Sequence, residues 1–471
     1  MNIIDLKAWE MIEKLEKREI SSRQIIEAHI ARIEEVEKDI NAFISLDKEG
    51  ALKEADLIDG KIKNGEELGI LAGVPIGIKD NIITKDFKTT AASKMLENFQ
   101  PPYDATVVAR IKESQGIIIG KNNLDEFAMG GSNRTSYFGH VKNPLDRERV
   151  PGGSSGGSAA ALAAREIPLS LASDTGGSIR QPASYCGVVG LKPTYGTISR
   201  YGLMPLSNSL DQIGVMARDV KDALLLLNSI SGYDKLDTTS TKTDTRISID
   251  EKTLLDDIKG LKIGLPREFF QNDIDKSIKS EIDKSINKFI EAGAIVEEVS
   301  LPHVKYSPEI YMVLCYGDAS SNMARFDGIR YGYRAEDYES LDELYIKTRS
   351  ESLGYEVKKR ILLGTYLLSE NRGEEYFKKA QKLRSLLIED FNQVFSSYDI
   401  ILTPTSPVLP HYINKEKPYY RDFAEAVNIA GLCGISLPCK DGLPIGLQLI
   451  GDRFKDEKII KAAMAYERMV E

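Results

Sequence analysis

The chain has 471 residues, 42% of them hydrophobic and 28% charged, enough to bury a large core and too apolar for intrinsic disorder. A net charge of −9 excludes a broad phosphate-gripping surface, which needs clustered Lys and Arg, so any RNA is expected to be held mainly by a partner. The 4 cysteines (Cys186, Cys315, Cys433 and Cys439) are scattered without zinc-type spacing, which excludes a disulfide framework and a structural zinc site.

Residues 1–65 read as helical and are expected to pack on the outside of the main body. One helix is predicted over 5–17; a second begins at Ser21-Ser22, a pair suited to an N-cap, and carries Ile26, Ile30 and Ile33 on one face. Residues 1–20 carry charges at almost every turn and no apolar signal-peptide run, and no later segment is long and apolar enough to span a bilayer. A cytoplasmic location without membrane contact is expected. From 69 to about 232, short β-branched runs (74–78, 117–120, 187–191) alternate with helical stretches, predicting a mixed or parallel sheet covered by helices. Within this region 159–164 is a helix-favouring run and 167–172 a short apolar strand.

The TTSTKTDT stretch at 238–245 predicts an exposed connection. Strands are then expected at 261–265 and 294–299, with an amphipathic helix at 274–292 between them. A long polar, helical segment runs from 318 to about 395; strands follow at 400–402 and 445–450, and a helix begins at Asp456. The whole of 1–471 reads as one large α/β domain, with a more variable, largely helical insertion at 240–395.

Two neighbouring motifs carry the chemistry. GGSSGGS at 152–158 and DTGGSIR at 174–180 set hydroxyls among glycines, whose freedom at φ > 0 lets successive N–H groups converge on one oxygen. Packed elements on both sides argue against a flexible linker. A serine nucleophile needs a base, and the histidines offer little: His29 lies in a helical pattern, His303 and His411 each adjoin a proline, and only His140 is a candidate for a Ser-His pair. Lys79, at the end of the apolar run GVPIGIKD (73–80), is the better base. Burial lowers a lysine pKa, and a neutral amine can take a proton from Ser178 through the hydroxyl of Ser154.

These strings, together with DTGGSIRQPASYCGVVGLKPTYG (174–196), resemble the amidase signature family. The resemblance implies that family's fold, a large mixed β-sheet covered by helices on both faces. It makes Ser178 the acyl-forming nucleophile, Ser154 the bridging serine and Lys79 the general base. The N–H groups of Thr175, Gly176, Gly177 and Ser178 would line the oxyanion hole, with no metal. Ser155 is the position most easily confused with Ser154.

Further strings, among them LDEFAMGGS (124–132), GTISRYGL (196–203) and ASSNMARFDGIRYGYR (319–334), are similar to the A subunits of tRNA-dependent amidotransferases. That likeness implies a glutaminase acting beside B and C subunits in a heterotrimer. Ammonia released from glutamine would pass to a partner that holds the misacylated glutamyl- or aspartyl-tRNA and uses ATP and Mg²⁺, with no cofactor in this chain. It also implies Arg360 for the α-carboxylate of glutamine, Tyr311 beside it, and Asp422 for the α-amino group. The chain departs from the pattern at Arg421, where the family has an aspartate, at Arg134, where it has a glutamate, and at Ala426 and Cys433, where it has prolines. A stand-alone amidase acting on another small carboxamide, and a non-catalytic assembly subunit, are the other readings.

Overall fold

The computed structural model describes residues 2–270, 274–415, 424–440 and 444–470. Its frame is a mixed sheet of β1 (Phe43–Leu46), β2 (Pro75–Lys79), β3 (Ile117–Asn122), β4 (Leu169–Asp174), β5 (Val189–Lys192), β6 (Gln212–Ala217), β7 (Lys262–Pro266), β8 (Ile295–Val299), β9 (Ile400–Pro404), β10 (Cys433–Pro438) and β11 (Gly446–Gly451). In space they run β1-β3-β2-β4-β6-β5-β10-β11-β9-β7-β8. β2 pairs in parallel with β3 and β4, and β7 with β8 and β9; the pairs in the middle of the sheet are antiparallel. The expected mixed α/β architecture is therefore the one observed.

Both faces of the sheet are buried in its middle, as the near-continuous apolar strands there require, while the edge strand β8 has no buried residue. In β6, Ile213 and Val215 join a core with helices Val220–Ile230 and Asp456–Val470, while Met216 points the other way. That second face packs Ser22–Ile40, Gly156–Ala163 and Arg180–Cys186. Further along, Ile401 and Ile450 leave the first core and pack instead with helices Ser307–Met323, Tyr355–Leu368 and Lys378–Phe395. The period-2 alternation of strand side chains assigns each residue to its layer.

The N-cap expected at Ser21 is present, its Oγ accepting from Gln24 N at 3.1 Å. The first 65 residues are not all helical, however: β1 is an edge strand, antiparallel to β3. Four residues between two helices give no period long enough to separate strand from helix, and the pairing with β3 decides. β6 and β10 also escaped the sequence reading, because glycines and polar residues interrupt their apolar runs. Segment 240–395 contributes β7 and β8 to the sheet besides its helices. Among the described residues, no helix is long and apolar enough to cross a membrane.

The parallel pairing of β2 with β4 creates the site. With Ile76 opposite Leu169 and Ile78 opposite Leu171, both strands end at the same edge, so the Lys79 side chain reaches Ser173. Carboxyl ends of parallel strands are where α/β sheets place their chemistry.

Candidate active site

Lys79 is wholly buried, and its Nζ donates to Ser154 Oγ at 2.8 Å, Ser173 Oγ at 2.9 Å and the Ser173 carbonyl at 3.1 Å. Burial pulls its pKa down to about 7, against the opposing charges of Asp174, Asp125 and Asp211. An amine at that value is neutral in a large fraction of molecules at physiological pH and can accept a proton from the hydroxyl it touches. Asn81 donates to Ser173 Oγ at 3.0 Å and so fixes the neighbour that orients the amine.

Ser154 sits in a turn joined to Gly153 by a cis peptide bond. Its carbonyl accepts from Asp125 N at 3.2 Å, and the Asp125 carboxylate in turn gathers Asn133 N at 2.9 Å and Thr135 Oγ1 at 2.9 Å. The ambiguity between adjacent serines is settled geometrically: Ser155 Oγ donates to the Ser173 carbonyl at 3.2 Å, while Ser154 alone of the two meets the amine.

Ser178 lies on the turn after β4, and its carbonyl accepts from Ser155 N at 3.2 Å, tying the two serine motifs together. Its Oγ has no hydrogen-bond partner among the described residues, although the residue is only 8% exposed. The turn is shaped by Asp174, whose Oδ1 accepts from Gly177 N at 2.7 Å and whose Oδ2 accepts from Ile179 N at 3.0 Å. Gly177 holds φ +109°, which a side chain would strain. Because the Gly177 N–H, expected among the oxyanion donors, is occupied by Asp174, the amides left without an acceptor among the described residues are Thr175, Gly176 and Ser178. Thr175 is fixed separately, its Oγ1 donating to Asp211 Oδ1 at 2.7 Å.

Asp174 anchors a buried network that sequence reasoning did not single out. Arg180 donates to it from Nε at 3.2 Å and Nη2 at 3.1 Å, to Gln448 Oε1 at 2.7 Å and to Asn428 Oδ1 at 2.6 Å; Asn428 Nδ2 returns a bond to Asp174 at 2.9 Å. Burial by itself would raise the Asp174 carboxyl, yet Arg180, by charge and hydrogen bond, holds it well below the usual carboxylate range. Removing Arg180 leaves a buried carboxylate without its counter-charge. Arg180→Ala is expected to destabilise the fold by about 3–5 kcal/mol in urea unfolding, with part of the loss recovered when Asp174→Asn is added. A loss below about 1 kcal/mol would show that the pair does not hold the turn.

Tyr311, on Ser307–Met323, is half-buried, and its ring lies so close to Gly176 that a Cβ there would come within 2.6 Å of Cε2. Arg360, on the adjoining helix Tyr355–Leu368, is 8% exposed, donates from Nε to Glu356 Oε1 at 3.0 Å and lies 5.0 Å from the Tyr316 ring centroid. Burial opposes its charge, but Tyr311, Tyr316, Cys315 and Glu356 outweigh it and push the guanidinium pKa up, so Arg360 is a permanent cation beside Tyr311. Tyr311 thus stands against Gly176, two residues before Ser178, with the Arg360 charge near it. Asp422 and Arg421 lie outside the described residues. Arg134 is turned to the loop after Tyr412, donating to the carbonyls of Ile413 and Lys415 at 2.8 Å each. Cys433 is buried in β10, with its Sγ 3.4 Å from the Asp452 carbonyl. His140 is an exposed loop residue whose carbonyl accepts from Asn41, outside the Lys79 network. Among the described residues, no cluster of three His, Cys, Asp or Glu side chains is placed to hold a metal ion.

A lysine buried on a serine, beside a second serine whose own amide and those of Thr175 and Gly176 have no acceptor among the described residues, is the arrangement of an acyl-group hydrolase, and the comparisons give its class. The sequence pattern of the Amidase family matches residues 24–460, and the chain belongs to that family. The A subunit of glutamyl-tRNA(Gln) amidotransferase from Fusobacterium nucleatum is 51% identical over 476 residues, a match covering 100% of this chain and 97% of that protein. Among solved structures, the A subunit of glutamyl-tRNA(Gln) amidotransferase from Thermotoga maritima is 38% identical with a TM-score of 0.82, covering 99% of this chain and 95% of that one. The native peptide amidase from Stenotrophomonas maltophilia is 28% identical with a TM-score of 0.85, covering 99% and 97%.

Proposed function

We propose that this chain is the glutamine-hydrolysing A subunit of a tRNA-dependent amidotransferase. The observation that carries the reading is the full-length 51% identity to the A subunit of a glutamyl-tRNA(Gln) amidotransferase, against 28% for the peptide amidase of the same fold. In the reaction, neutral Lys79 takes the Ser154 proton as Ser154 takes that of Ser178, and Ser178 Oγ adds to the side-chain carbonyl carbon of glutamine. The oxyanion forms toward the amides of Thr175, Gly176 and Ser178. The proton returns through Ser154 to the amide nitrogen, the C–N bond breaks and ammonia leaves. Water, deprotonated along the same path, then releases glutamate from Ser178.

Arg360 supplies the cation for the α-carboxylate of glutamine, with Tyr311 closing the wall against Gly176, and Asp422 is the anion for the α-amino group. The chain works in the cytoplasm in a heterotrimer with B and C subunits. The partner holds glutamyl-tRNA(Gln), or aspartyl-tRNA(Asn), and uses ATP and Mg²⁺ to activate it for attack by the ammonia. No cofactor is assigned to this chain.

Ammonia release from glutamine, measured with the chain alone and with B and C subunits, ATP and glutamyl-tRNA, tests this reading. Turnover is expected to rise strongly in the full mixture with glutaminyl-tRNA as product. Glutamine turnover that is equal or absent in both mixtures, with another carboxamide cleaved by the isolated chain, would establish a stand-alone amidase instead.

A further inference from the structure

Helix Tyr355–Leu368 carries Arg360 but begins without a side-chain cap of its own, since its N-cap is Gly354. The missing acceptor comes from far away in sequence. Glu126, 3% exposed, places Oε2 2.9 Å from Gly354 N, and its other oxygen accepts from Ser93 Oγ at 2.5 Å. Ser93 Oγ also lies 3.3 Å from the carbonyl of Ser352, the residue ending the preceding helix. A Cβ at 354 would stand 2.2 Å from Glu126 Oε2, so a side chain there would push the carboxylate off its present seat.

Glu126 directly follows Asp125, whose N–H holds the Ser154 carbonyl. One turn of chain therefore touches the bridging serine at one residue and the start of the arginine helix at the next. The backbone on both sides of the Ser93–Glu126 contact is held in the left-handed region: Ala91 and Ala92 at φ +50° and +54°, and Phe127 and Ala128 at φ +50° and +62°. Phe127 N donates to the Ala91 carbonyl at 2.8 Å, locking one strained pair onto the other. Strain of this kind persists only where the surroundings over-determine it. Burial pushes the Glu126 carboxyl up to about 7, while Ser93, the Gly354 amide and Lys358 favour its charged form. A carboxylate at a helix N-terminus gains from the free amides and the dipole there.

We propose that Glu126 is a positioning residue that fixes the separation between the serine pair and Arg360, and so sets the length of amino-acid amide the site accepts. This rests on the glutaminase reading given above. With the helix start pinned to the turn beside Ser154, the gap between the attacked carbonyl and the α-carboxylate clamp suits one side-chain length. Glutamine then outcompetes asparagine, which is one methylene shorter. Were the pin loosened, Arg360 would drift relative to Ser178 while Lys79, Ser154 and Ser178 kept their mutual geometry.

The test compares Glu126→Gln and Glu126→Ala with wild type, each assembled with B and C subunits. Readouts are kcat and KM for glutamine and asparagine, labelling of Ser178 by methyl fluorophosphonate, and thermal unfolding. The expected result is a KM for glutamine raised about tenfold in Glu126→Ala, kcat within about threefold, and a glutamine-to-asparagine preference reduced about fivefold, at an unchanged labelling rate. An unchanged KM and preference, or a labelling rate that falls in step with glutamine turnover, overturns the inference. If the Glu126 variants do not fold, Ser93→Ala and Gly354→Ala attack the same contact from its other two sides and are read the same way. A wild type that is labelled but hydrolyses no glutamine overturns the glutaminase reading, and this one with it; a wild type active on glutamine with indifferent variants overturns this inference alone.

Discussion

Replacing Lys79 by alanine is expected to lower amide hydrolysis about 1,000-fold or more at neutral pH, in a chain that still folds. Among the described residues no other base touches the serine pair: Lys79 Nζ is the donor on Ser154 Oγ, and His140 is an exposed loop residue. The working form is the neutral amine, and burial sets its pKa at about 7, so the wild-type rate should climb with pH through about 7 and then level off. Residual activity in Lys79→Ala should lack that inflection. A variant that keeps most of its rate, with His140→Ala inactive instead, sinks the assignment. The same amine leaves a mark on stability. Its folded value of about 7 lies below its ordinary value of 10.5, so between the two the unfolded chain binds the extra proton. Stability of wild type relative to Lys79→Met should therefore rise with pH across that window.

The second large effect separates three serines. Ser178→Ala is expected to abolish turnover, by about 10,000-fold or more, because the bond-forming oxygen is gone. Ser154→Ala should lose about 100-fold or more, since the proton path between Ser178 and Lys79 is cut. Ser155→Ala, whose hydroxyl donates to the Ser173 carbonyl rather than meeting the amine, should stay within about threefold of wild type. Burst kinetics of ammonia release, with circular dichroism to check folding, reads all three. A Ser155 variant as damaged as the Ser154 variant would mean that the bridging role has been given to the wrong hydroxyl.

Lys79, Ser154 and Ser178 are legible in the sequence because each sits in a short motif whose local chemistry is unusual. An apolar run ending in lysine, and hydroxyls spaced by glycine, announce themselves without any knowledge of the fold. The strands next to these motifs are legible for the same reason, being short apolar runs bounded by turn residues. The support of the site is another matter. Asn428 meets Asp174 across 254 positions and Gln448 meets Arg180 across 268, and both residues occupy ordinary stretches of chain. Glu126 is as opaque, since its partner Gly354 stands 228 positions away and nothing in a lone glycine marks it as a docking point. Tyr311 and Arg360 stand on helices whose patterns do not reveal which polar residue faces inward, and only the packing shows it, Tyr311 against Gly176 and Arg360 over the Tyr316 ring. Short strands such as β1 and β10 are recovered only by pairing, which no local window contains.

The long reach of the Asp174 network bears on how the chain is made. During synthesis Lys79, Ser154 and Ser178 emerge long before Asn428 and Gln448 exist. Until those two residues arrive, Arg180 has Asp174 as its one acceptor in the network, and the turn that presents Ser178 keeps only the local bonds of Asp174 to the Gly177 and Ile179 amides. β5 likewise awaits β10, its neighbour on the side away from β6. A ribosome-bound fragment that stops short of Asn428 therefore holds Lys79, Ser154 and Ser178 without the complete brace around Asp174. Cleavage of amides is expected to begin only when the polypeptide is nearly complete.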